Sequence, residues 1–470
     1  MPHRSTLMVT DHGSTTAEHA SDVPEGDDHA GLTSRAFGRQ VTLVALAALV
    51  MRLVLQRFEP RPPTTPILSD EAWYTKVANL VLHGKGFVGP FFPHPQTALH
   101  GPLTVFLVMP ATLLEPHGYT LQRATIGVLG ALCVVAIAYV ARELAGPRVG
   151  LCAAVLAALY PGLWVNDLVA TSETPAVLLL TVTLLLVLRY RRAPSVGGLV
   201  LLGVTLGLLA LDRAELALLG VLLVVPALLA VARSAPAPFA TFVRGALVVG
   251  VLAVGIVVPW SAYNQVRFHQ TVLISNNLGQ TLVGANCSES YYGPLTGYDG
   301  RRCYLPVLAA LPKGLNEAQS DAFFRHRAIT YATNHWHRWP VVAVMRELWL
   351  WSLWKPGWTV FMSGIYLGRA QWLAWSQIVG FWLLSPFALY GFVLARRRRV
   401  RVAPLVTMVL FTAALGLLVV GHLRYRIPAE IAWVLLGAIA FDRLLFGETR
   451  PGSVGGGQPG RDLPDGVDAA

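Results

Sequence analysis

The chain has 470 residues, of which 54% are hydrophobic and only 13% are charged. Soluble domains carry about 25% charged residues, so this composition, with its recurring apolar runs of about 20 residues, indicates a helical protein that crosses a membrane several times. The net charge of +11 does not indicate nucleic-acid binding, because the basic residues lie in short clusters beside the apolar runs.

The two ends of the chain are polar and lack apolar periodicity. Residues 1–37 and 448–470 are therefore predicted to be disordered cytoplasmic tails. Between them, 38–447 is predicted to be an all-α membrane domain. Ten transmembrane helices are predicted within it, at 40–58, 119–141, 149–166, 168–188, 196–212, 214–232, 242–262, 372–395, 402–421 and 427–446.

The links between these spans predict the orientation of the chain. Arginines cluster in alternate links, and such clusters favour the cytoplasmic side. The clustered residues are Arg142, Arg148, Arg189, Arg191, Arg192, Arg233, Arg244, Arg396–Arg399 and Arg401. Both termini are then cytoplasmic, and two long loops, 59–118 and 263–371, lie at the extracytoplasmic face of the plasma membrane. Three short apolar segments in these loops are predicted to lie along the membrane rather than to cross it, at 72–83, 103–114 and 341–354.

The first long loop contains two adjacent acids, Asp70 and Glu71, in the stretch Ser69-Asp70-Glu71-Ala72-Trp73-Tyr74. Charge beside hydrocarbon is costly, which favours a functional role. A carboxylate there could remove a proton from an attacking hydroxyl. Alternatively, Ser69 or Asp70 could cap a helix through 72–83. The two roles are compatible, because capping would fix the position of the carboxylate.

Other polar residues on the same predicted side could bind a substrate. Lys85 and His100 could hold a phosphate, or could be ordinary interfacial side chains. Glu173 is predicted just inside a span, where it could bind substrate or pair with Arg213. The remaining candidates for substrate binding are Tyr74, Asp167, Arg213, Asn264, Arg424 and Arg426. The two last arginines lie away from the cytoplasmic clusters, so they could bind a phosphate or pair with Glu430.

Cys287 and Cys303 lie in the second long loop, and a loop on the oxidising side of the membrane favours a disulfide between them. The sequence has no CxxC motif and no spacing typical of a zinc site. A divalent cation could assist the reaction but is not indicated, and no other cofactor is predicted.

In order along the chain, these motifs resemble the polyprenyl-phosphate-sugar-dependent glycosyltransferases of the GT-C fold. That superfamily includes the protein mannosyltransferases and the lipid A aminoarabinose transferases. The resemblance depends on five motifs, namely Asp70-Glu71, His100-Gly101-Pro102-Leu103 (similar to the family's His-Pro-Pro-Leu), Glu173 before Thr174-Pro175, Pro259-Trp260 with Asn264, and Arg424-Tyr425-Arg426.

The resemblance implies a GT-C type helical bundle and an inverting hexosyl- or pentosyltransferase that depends on a metal weakly or not at all. Asp70 would take the proton of the acceptor, Glu71 would be its partner, and His100 would lie near the phosphate. The implied partners are a polyprenyl-phosphate sugar, the lipid bilayer and an extracytoplasmic acceptor in the cell envelope. The chain departs from the mannosyltransferases at Ala98 and from the aminoarabinose transferases at Trp73, so the sugar and the acceptor stay open.

Two other classes of function are compatible with a polytopic membrane protein. A transporter or flippase would place charges at mid-membrane and would show paired broken helices. A polysaccharide polymerase or ligase would share the large outer loops, but it would not need the Asp70-Glu71 pair.

Overall fold

The computed structural model describes residues 34–60, 69–90 and 96–447. Nearly all of the two predicted tails lies outside these residues, although the first helix begins at Ser34. In the described parts, the chain forms α-helices and short 3-10 helices and contains no β-strand. The prediction of an all-α membrane protein is therefore confirmed.

Nineteen α-helices are present in the described residues. Those in the first half are α1 (Ser34–Leu55), α2 (Asp70–Leu82), α3 (Leu103–Leu114), α4 (Thr120–Ala145), α5 (Pro147–Leu159), α6 (Pro161–Trp164), α7 (Glu173–Arg192), α8 (Val196–Asp212), α9 (Ala214–Ala232) and α10 (Pro238–Phe268). Those in the second half are α11 (Leu278–Ala285), α12 (Ser288–Tyr291), α13 (Tyr304–Ala309), α14 (Glu317–Asn334), α15 (Trp339–Leu350), α16 (Pro356–Leu367), α17 (Gln371–Arg397), α18 (Ala403–Leu418) and α19 (Ile427–Phe446).

Six of these helices are long and apolar enough to cross a membrane, namely α1, α4, α7, α9, α10 and α17. A seventh span is formed if α5 and the following segment to Leu168, which bends by 53°, are counted as one. The predicted count of ten stays a prediction, because α8 and α18 are shorter and α19 contains three charged residues, Glu430, Asp442 and Arg443.

The long helices pack around one apolar core to which α1, α4, α5, α7, α8, α9, α17, α18 and α19 all contribute. A second apolar cluster lies under α2 and α3 and includes Trp73, Val77, Phe87 and Trp260. The short helix α15 has 12 residues, about 18 Å of helix, which is too short to cross hydrocarbon that is about 30 Å thick.

The two ends of the bundle differ in charge. At one end, where α7 begins, Glu173 contacts Arg213 and Arg424; we call this the site end. At the opposite end, Glu143 contacts Arg189 and Arg192. Asp442 contacts Arg148 and Arg398 at that same end. Members of three of the predicted arginine clusters therefore lie at one end of the bundle, namely Arg148, Arg189, Arg192 and Arg398.

Candidate active site

Asp70 is the first residue of α2, and the sequence explains why the helix begins there. The hydroxyl of Ser69 accepts a hydrogen bond from the backbone N–H of Ala72 at 3.3 Å, and acids in the first turn are favoured by the helix dipole. The cap is thus Ser69. The Asp70 carboxylate, 22% exposed, remains available for contacts across the site end.

Arg424 joins Asp70 to Glu173. Its Nη1 lies 2.8 Å from Oδ2 of Asp70, while its Nε and Nη2 lie 2.8 and 2.6 Å from Oε1 of Glu173. Arg213 also contacts Glu173, at 3.2 Å, and pairs with Glu215. Carboxylates from α2 and α7 are therefore held by cations from two distant parts of the chain.

His100 completes this group from the other part of the first long loop. Its Nε2 lies 3.6 Å from Oδ1 of Asp70. Its ring packs on Trp73 and Tyr74, with centroids 4.8 and 5.2 Å away. Asp70, Tyr74 and His100 thus form one surface, in which aromatic rings fix the imidazole beside the carboxylate.

The residue after His100 must be small. A Cβ on Gly101 would lie 2.2 Å from the carbonyl oxygen of Leu211, at the end of α8. The hydroxyl of Thr104 donates to Asp212 at 2.7 Å. These two contacts fix the His100 segment against the end of α8.

The charges around Asp70 determine its ionisation. Burial favours the neutral acid, but the charge of Arg424 and the contact with His100 outweigh burial and hold the pKa of Asp70 well below its ordinary value of 3.8. Burial, together with the charge of Asp70, raises the pKa of Tyr74. At neutral pH the site therefore contains an aspartate anion beside a neutral phenol.

Glu71 lies apart from this group, although it is adjacent to Asp70 in sequence. Both of its oxygens contact the guanidinium of Arg123, at 2.8 and 2.7 Å, and Oε1 also accepts from the backbone N–H of Ala170 at 2.9 Å. Its side chain is only 3% exposed. Glu71 joins α2 to α4 and to the segment before α7. These contacts favour a supporting role, and its role as a catalytic partner stays a prediction.

The substitution Glu71→Gln should therefore lower stability more than activity. Breaking a buried ion pair costs about 3–5 kcal/mol, and Arg123 would lose its carboxylate. We expect a clear fall in the melting temperature of the detergent-solubilised protein. The rate of the expected sugar transfer by the folded fraction should stay close to that of the wild type. An inactive variant with a normal melting temperature would place Glu71 in the reaction itself.

Four other predicted site residues do not join the group around Asp70. Lys85 is exposed beyond the far end of α2, about 20 Å of helix from Asp70. Asn264 is buried and bonds to Arg267 and to the carbonyl of Val272.

Asp167 and Arg426 are likewise held in buried networks. Asp167 pairs with Arg52 at 2.6 Å and accepts from Thr174. Arg426 is fully buried, pairs with Glu430 and lies 3.8 Å over the ring of Phe381. These contacts tie both side chains into the bundle, and their role in binding substrate stays a prediction.

Glu317 is a residue that the sequence did not single out. It begins α14 in the second long loop, and its carboxylate accepts hydrogen bonds from the hydroxyl of Thr97 and the N–H of Ala98, both at 2.7 Å. Asn276 adds a third, at 3.4 Å. Burial raises the pKa of Glu317. A carboxylate from the second loop thus fixes the backbone at Ala98. The only sequence signal is the capping box, Asn316 with Gln319.

The contacts of Glu317 predict that shortening its side chain lowers the activity. Glu317→Ala would leave the buried N–H of Ala98 and hydroxyl of Thr97 without partners, at a cost of about 1–3 kcal/mol, and would loosen the segment that ends at His100. We expect a lower kcat, and we expect Glu317→Gln, which keeps one acceptor oxygen, to restore most of it. Equal losses in the two variants would contradict a positioning role.

Cys287 and Cys303 form a disulfide in the second long loop. Among residues 34–60, 69–90 and 96–447, no three His, Cys, Asp or Glu side chains are grouped so that they could hold a metal ion.

One family model matches the sequence. Residues 100–263 match the model described as dolichyl-phosphate-mannose-protein mannosyltransferase. This match begins at His100 and includes Glu173 and Arg213, but it ends one residue before Asn264 and does not reach Asp70 or Arg424. No curated protein matches the sequence.

Solved structures of three membrane proteins are also similar. The oligosaccharyltransferase AglB of Archaeoglobus fulgidus was solved with an inhibitory peptide and a dolichol-phosphate. It has 15% sequence identity and a TM-score of 0.46, and the match covers 85% of this chain and 50% of the AglB chain. ArnT of Cupriavidus metallidurans, bound to undecaprenyl phosphate, has 16% identity and a TM-score of 0.44, with coverages of 87% and 78%. The Pmt1-Pmt2 protein O-mannosyltransferase of S. cerevisiae, bound to its sugar donor, has 15% identity and a TM-score of 0.39, with coverages of 54% and 36%.

The chain spans about half the length of the archaeal oligosaccharyltransferase, so the activity of that whole protein does not transfer to it directly. The family model covers the motifs at His100–Leu103, at Glu173 and at Pro259-Trp260, and it leaves the motifs at Asp70 and Arg424 outside the match. Over residues 100–263, the predicted resemblance to polyprenyl-phosphate-sugar-dependent glycosyltransferases is thereby confirmed.

Proposed function

We propose that the protein is an integral-membrane glycosyltransferase that moves a sugar from a polyprenyl-phosphate carrier to a hydroxyl acceptor. The observation that carries this proposal is the contact of one partly exposed carboxylate, Asp70, with both Arg424 and His100. A base and two groups able to contact a phosphate then lie at the same end of a membrane bundle.

In the proposed reaction, the acceptor oxygen attacks the anomeric carbon from the face opposite the phosphate. As the new carbon–oxygen bond forms, Asp70 accepts the hydroxyl proton. The bond from the anomeric carbon to the phosphate oxygen breaks, and its electron pair leaves with the polyprenyl phosphate. The transfer is a single displacement, so the configuration at the anomeric carbon inverts.

Arg424 is the proposed ligand of the leaving phosphate. Guanidinium groups suit phosphate because they donate two parallel hydrogen bonds. Base and leaving group must lie on opposite faces of the sugar, so Arg424 cannot hold the phosphate while it contacts Asp70 at 2.8 Å. We infer that the donor phosphate takes the place of Asp70 on Arg424, while Glu173 keeps the arginine anchored.

This exchange would also activate the base. Without a donor, Arg424 holds the pKa of Asp70 well below its ordinary value. When the phosphate takes over the guanidinium, burial and the new negative charge would raise that pKa and make Asp70 a better proton acceptor. The supporting residues Glu71 and Glu317 would hold α2 and the His100 segment during this exchange.

The charge distribution supports an orientation. The arginine links lie at the end of the bundle opposite Asp70, and such clusters favour the cytoplasm. The site end would then face the extracytoplasmic side of the plasma membrane, with both termini in the cytoplasm and the acceptor in the cell envelope.

The proposal can be tested with the purified full-length protein in lipid nanodiscs. The protein is incubated with a panel of radiolabelled polyprenyl-phosphate hexoses and pentoses and with a crude envelope fraction as the source of acceptor. We expect one donor to release polyprenyl phosphate as its label enters the acceptor. In proteoliposomes, donor movement without cleavage would indicate a flippase, and joining of preformed chains would indicate a polymerase or ligase. Either result would overturn the proposal.

A further inference from the structure

A basic cavity lies at the end of the bundle opposite Asp70, between the ends of α4 and α7 and the start of α1. Its volume is about 590 Å³, within the range of about 300–1,000 Å³ that is usual for ligand pockets. It is lined by Ser34, Tyr139, Arg142, Glu143, Arg189 and Arg192, with Pro147 and Ala193 at its rim. Helix α7, with 20 residues, places this cavity about 30 Å from Glu173, so it is distinct from the candidate active site.

The charged groups of the cavity are held in place. Arg142 lies 4.8 Å over the ring of Phe37, and Arg189 lies 5.8 Å over the ring of Tyr139. Glu143 contacts Arg192 at 2.5 Å and Arg189 at 3.4 Å. Three arginines and one glutamate leave an excess of positive charge, and aromatic contacts pre-orient two of the guanidinium planes.

An apolar stripe leads from the cavity along α4. Val128 and Leu132 lie eleven and seven residues before Tyr139, spacings that place all three residues on one helix face. The two side chains are 45% and 46% exposed. A ligand that filled the basic cavity could therefore lay a hydrocarbon chain along this face of α4.

We propose that this cavity binds the phosphate of an anionic phospholipid headgroup in the leaflet at that end, with an acyl chain against Val128 and Leu132. Basic pockets between transmembrane helices are suited to such headgroups, and arginine forks suit phosphate oxygens. One bound lipid would then contact the ends of α1, α4 and α7 together. It is independent of the transfer reaction at Asp70.

Native mass spectrometry of the full-length protein tests the proposal. The protein is mixed in detergent with increasing amounts of dioleoyl-phosphatidylglycerol, and the fraction that carries bound lipid is measured. The double substitution R142Q/R189Q should weaken binding of the first phosphatidylglycerol by about tenfold or more, because two charge-assisted contacts are lost. The matched control R233Q/R244Q removes Arg233, directly after α9, and Arg244, in the second turn of α10. Both lie at the same end of the bundle and outside the cavity, so binding should stay within about twofold. If the first double substitution does not fold, Arg189→Gln alone, at a side chain that is 51% exposed, should still weaken binding.

Two results would overturn the proposal. Equal loss in both double variants would show that binding follows the total charge of this face and not the cavity. Competition by inorganic phosphate or glycerol 3-phosphate at concentrations comparable to the lipid would show that the occupant is a free anion. We expect neither compound to compete at such concentrations, because neither can contact the stripe on α4.

Discussion

The substitution Asp70→Asn is expected to abolish sugar transfer while the protein still folds and inserts. Asparagine has nearly the shape of aspartate but cannot accept the acceptor's proton, and loss of a positioned general base typically costs 10²–10⁴-fold, on the order of 3–5 kcal/mol in the barrier. Arg424 would keep its contacts with Glu173 at 2.8 and 2.6 Å, so the site should remain assembled. Initial rates of polyprenyl phosphate release measure the effect.

A matched control exists at the other end of the bundle. Like Asp70, Asp442 contacts two basic side chains, in this case Arg148 at 3.4 Å and Arg398 at 3.8 Å. Asp442→Asn should therefore change the expression level and the melting temperature about as much as Asp70→Asn does. It should leave the rate of sugar transfer unchanged. If Asp70→Asn retained most of the wild-type rate, Asp70 would not be the base.

Arg424→Gln is expected to have the second largest effect, on both stability and activity. It would leave Asp70 and Glu173 facing each other without their shared cation, and removing one partner of a largely buried ion pair costs about 3 kcal/mol. It would also remove the proposed ligand of the leaving phosphate. We expect a lower melting temperature and a large loss of kcat.

The pH dependence distinguishes Arg424 from an ordinary structural arginine. In the wild-type protein, the depressed pKa of Asp70 contributes stability above pH 3.8, and this contribution is lost as the pH falls through the folded-state pKa. Without Arg424, burial would dominate and the pKa of Asp70 would rise. The acid limb of any remaining kcat/KM profile should therefore move to higher pH.

Two further variants separate stability from chemistry. Arg424→Gln combined with Glu173→Gln removes the repulsion between the carboxylates and should recover much of the melting temperature but none of the activity. Arg325→Gln removes the exposed partner of the buried Asp321, which keeps its hydrogen bond from the backbone N–H of Gly279. An ion pair with an exposed partner typically contributes about 0–1 kcal/mol, so this control should change the melting temperature and the activity little. Full activity in the double variant would contradict a role of Arg424 at the phosphate.

Much of the helical framework could be predicted from the sequence because its boundaries have local chemical causes. The helices at 103–114, 196–212, 214–232 and 427–446 begin and end where the hydrophobic pattern predicts. The third predicted span, 149–166, differs because Pro161 interrupts it, and the chain bends by 53° there. Segment 168–188 begins later than predicted, at Glu173, after a short irregular stretch.

The site was predictable only in part, because its contacts join residues far apart in sequence. The charge bias of the links placed Asp70, His100, Glu173 and Arg424 on one side of the membrane. No local pattern could show that Arg424 lies 2.8 Å from Asp70, or that Glu317, more than two hundred residues after His100, holds the segment that precedes that histidine.

The sequence alone could not separate the roles of candidate residues that lie next to each other in the chain, and helix geometry gives the reason. Successive residues of an α-helix point about 100° apart, so Asp70 faces the site while Glu71 turns to Arg123. Leu423–Arg426 form a 3-10 helix, in which residues two apart point about 240° apart. Arg424 therefore faces Asp70, whereas Arg426 enters the core beside Glu430.

The anomeric configuration of the product tests the central claim most directly. A polyprenyl-phosphate sugar of defined anomeric configuration is turned over by the purified protein, and the linkage in the product is determined by NMR, with Asp70→Asn run in parallel. A single displacement with Asp70 as base predicts inversion in the wild-type protein and no product from the variant. Retention of configuration, or comparable product from Asp70→Asn, would contradict it.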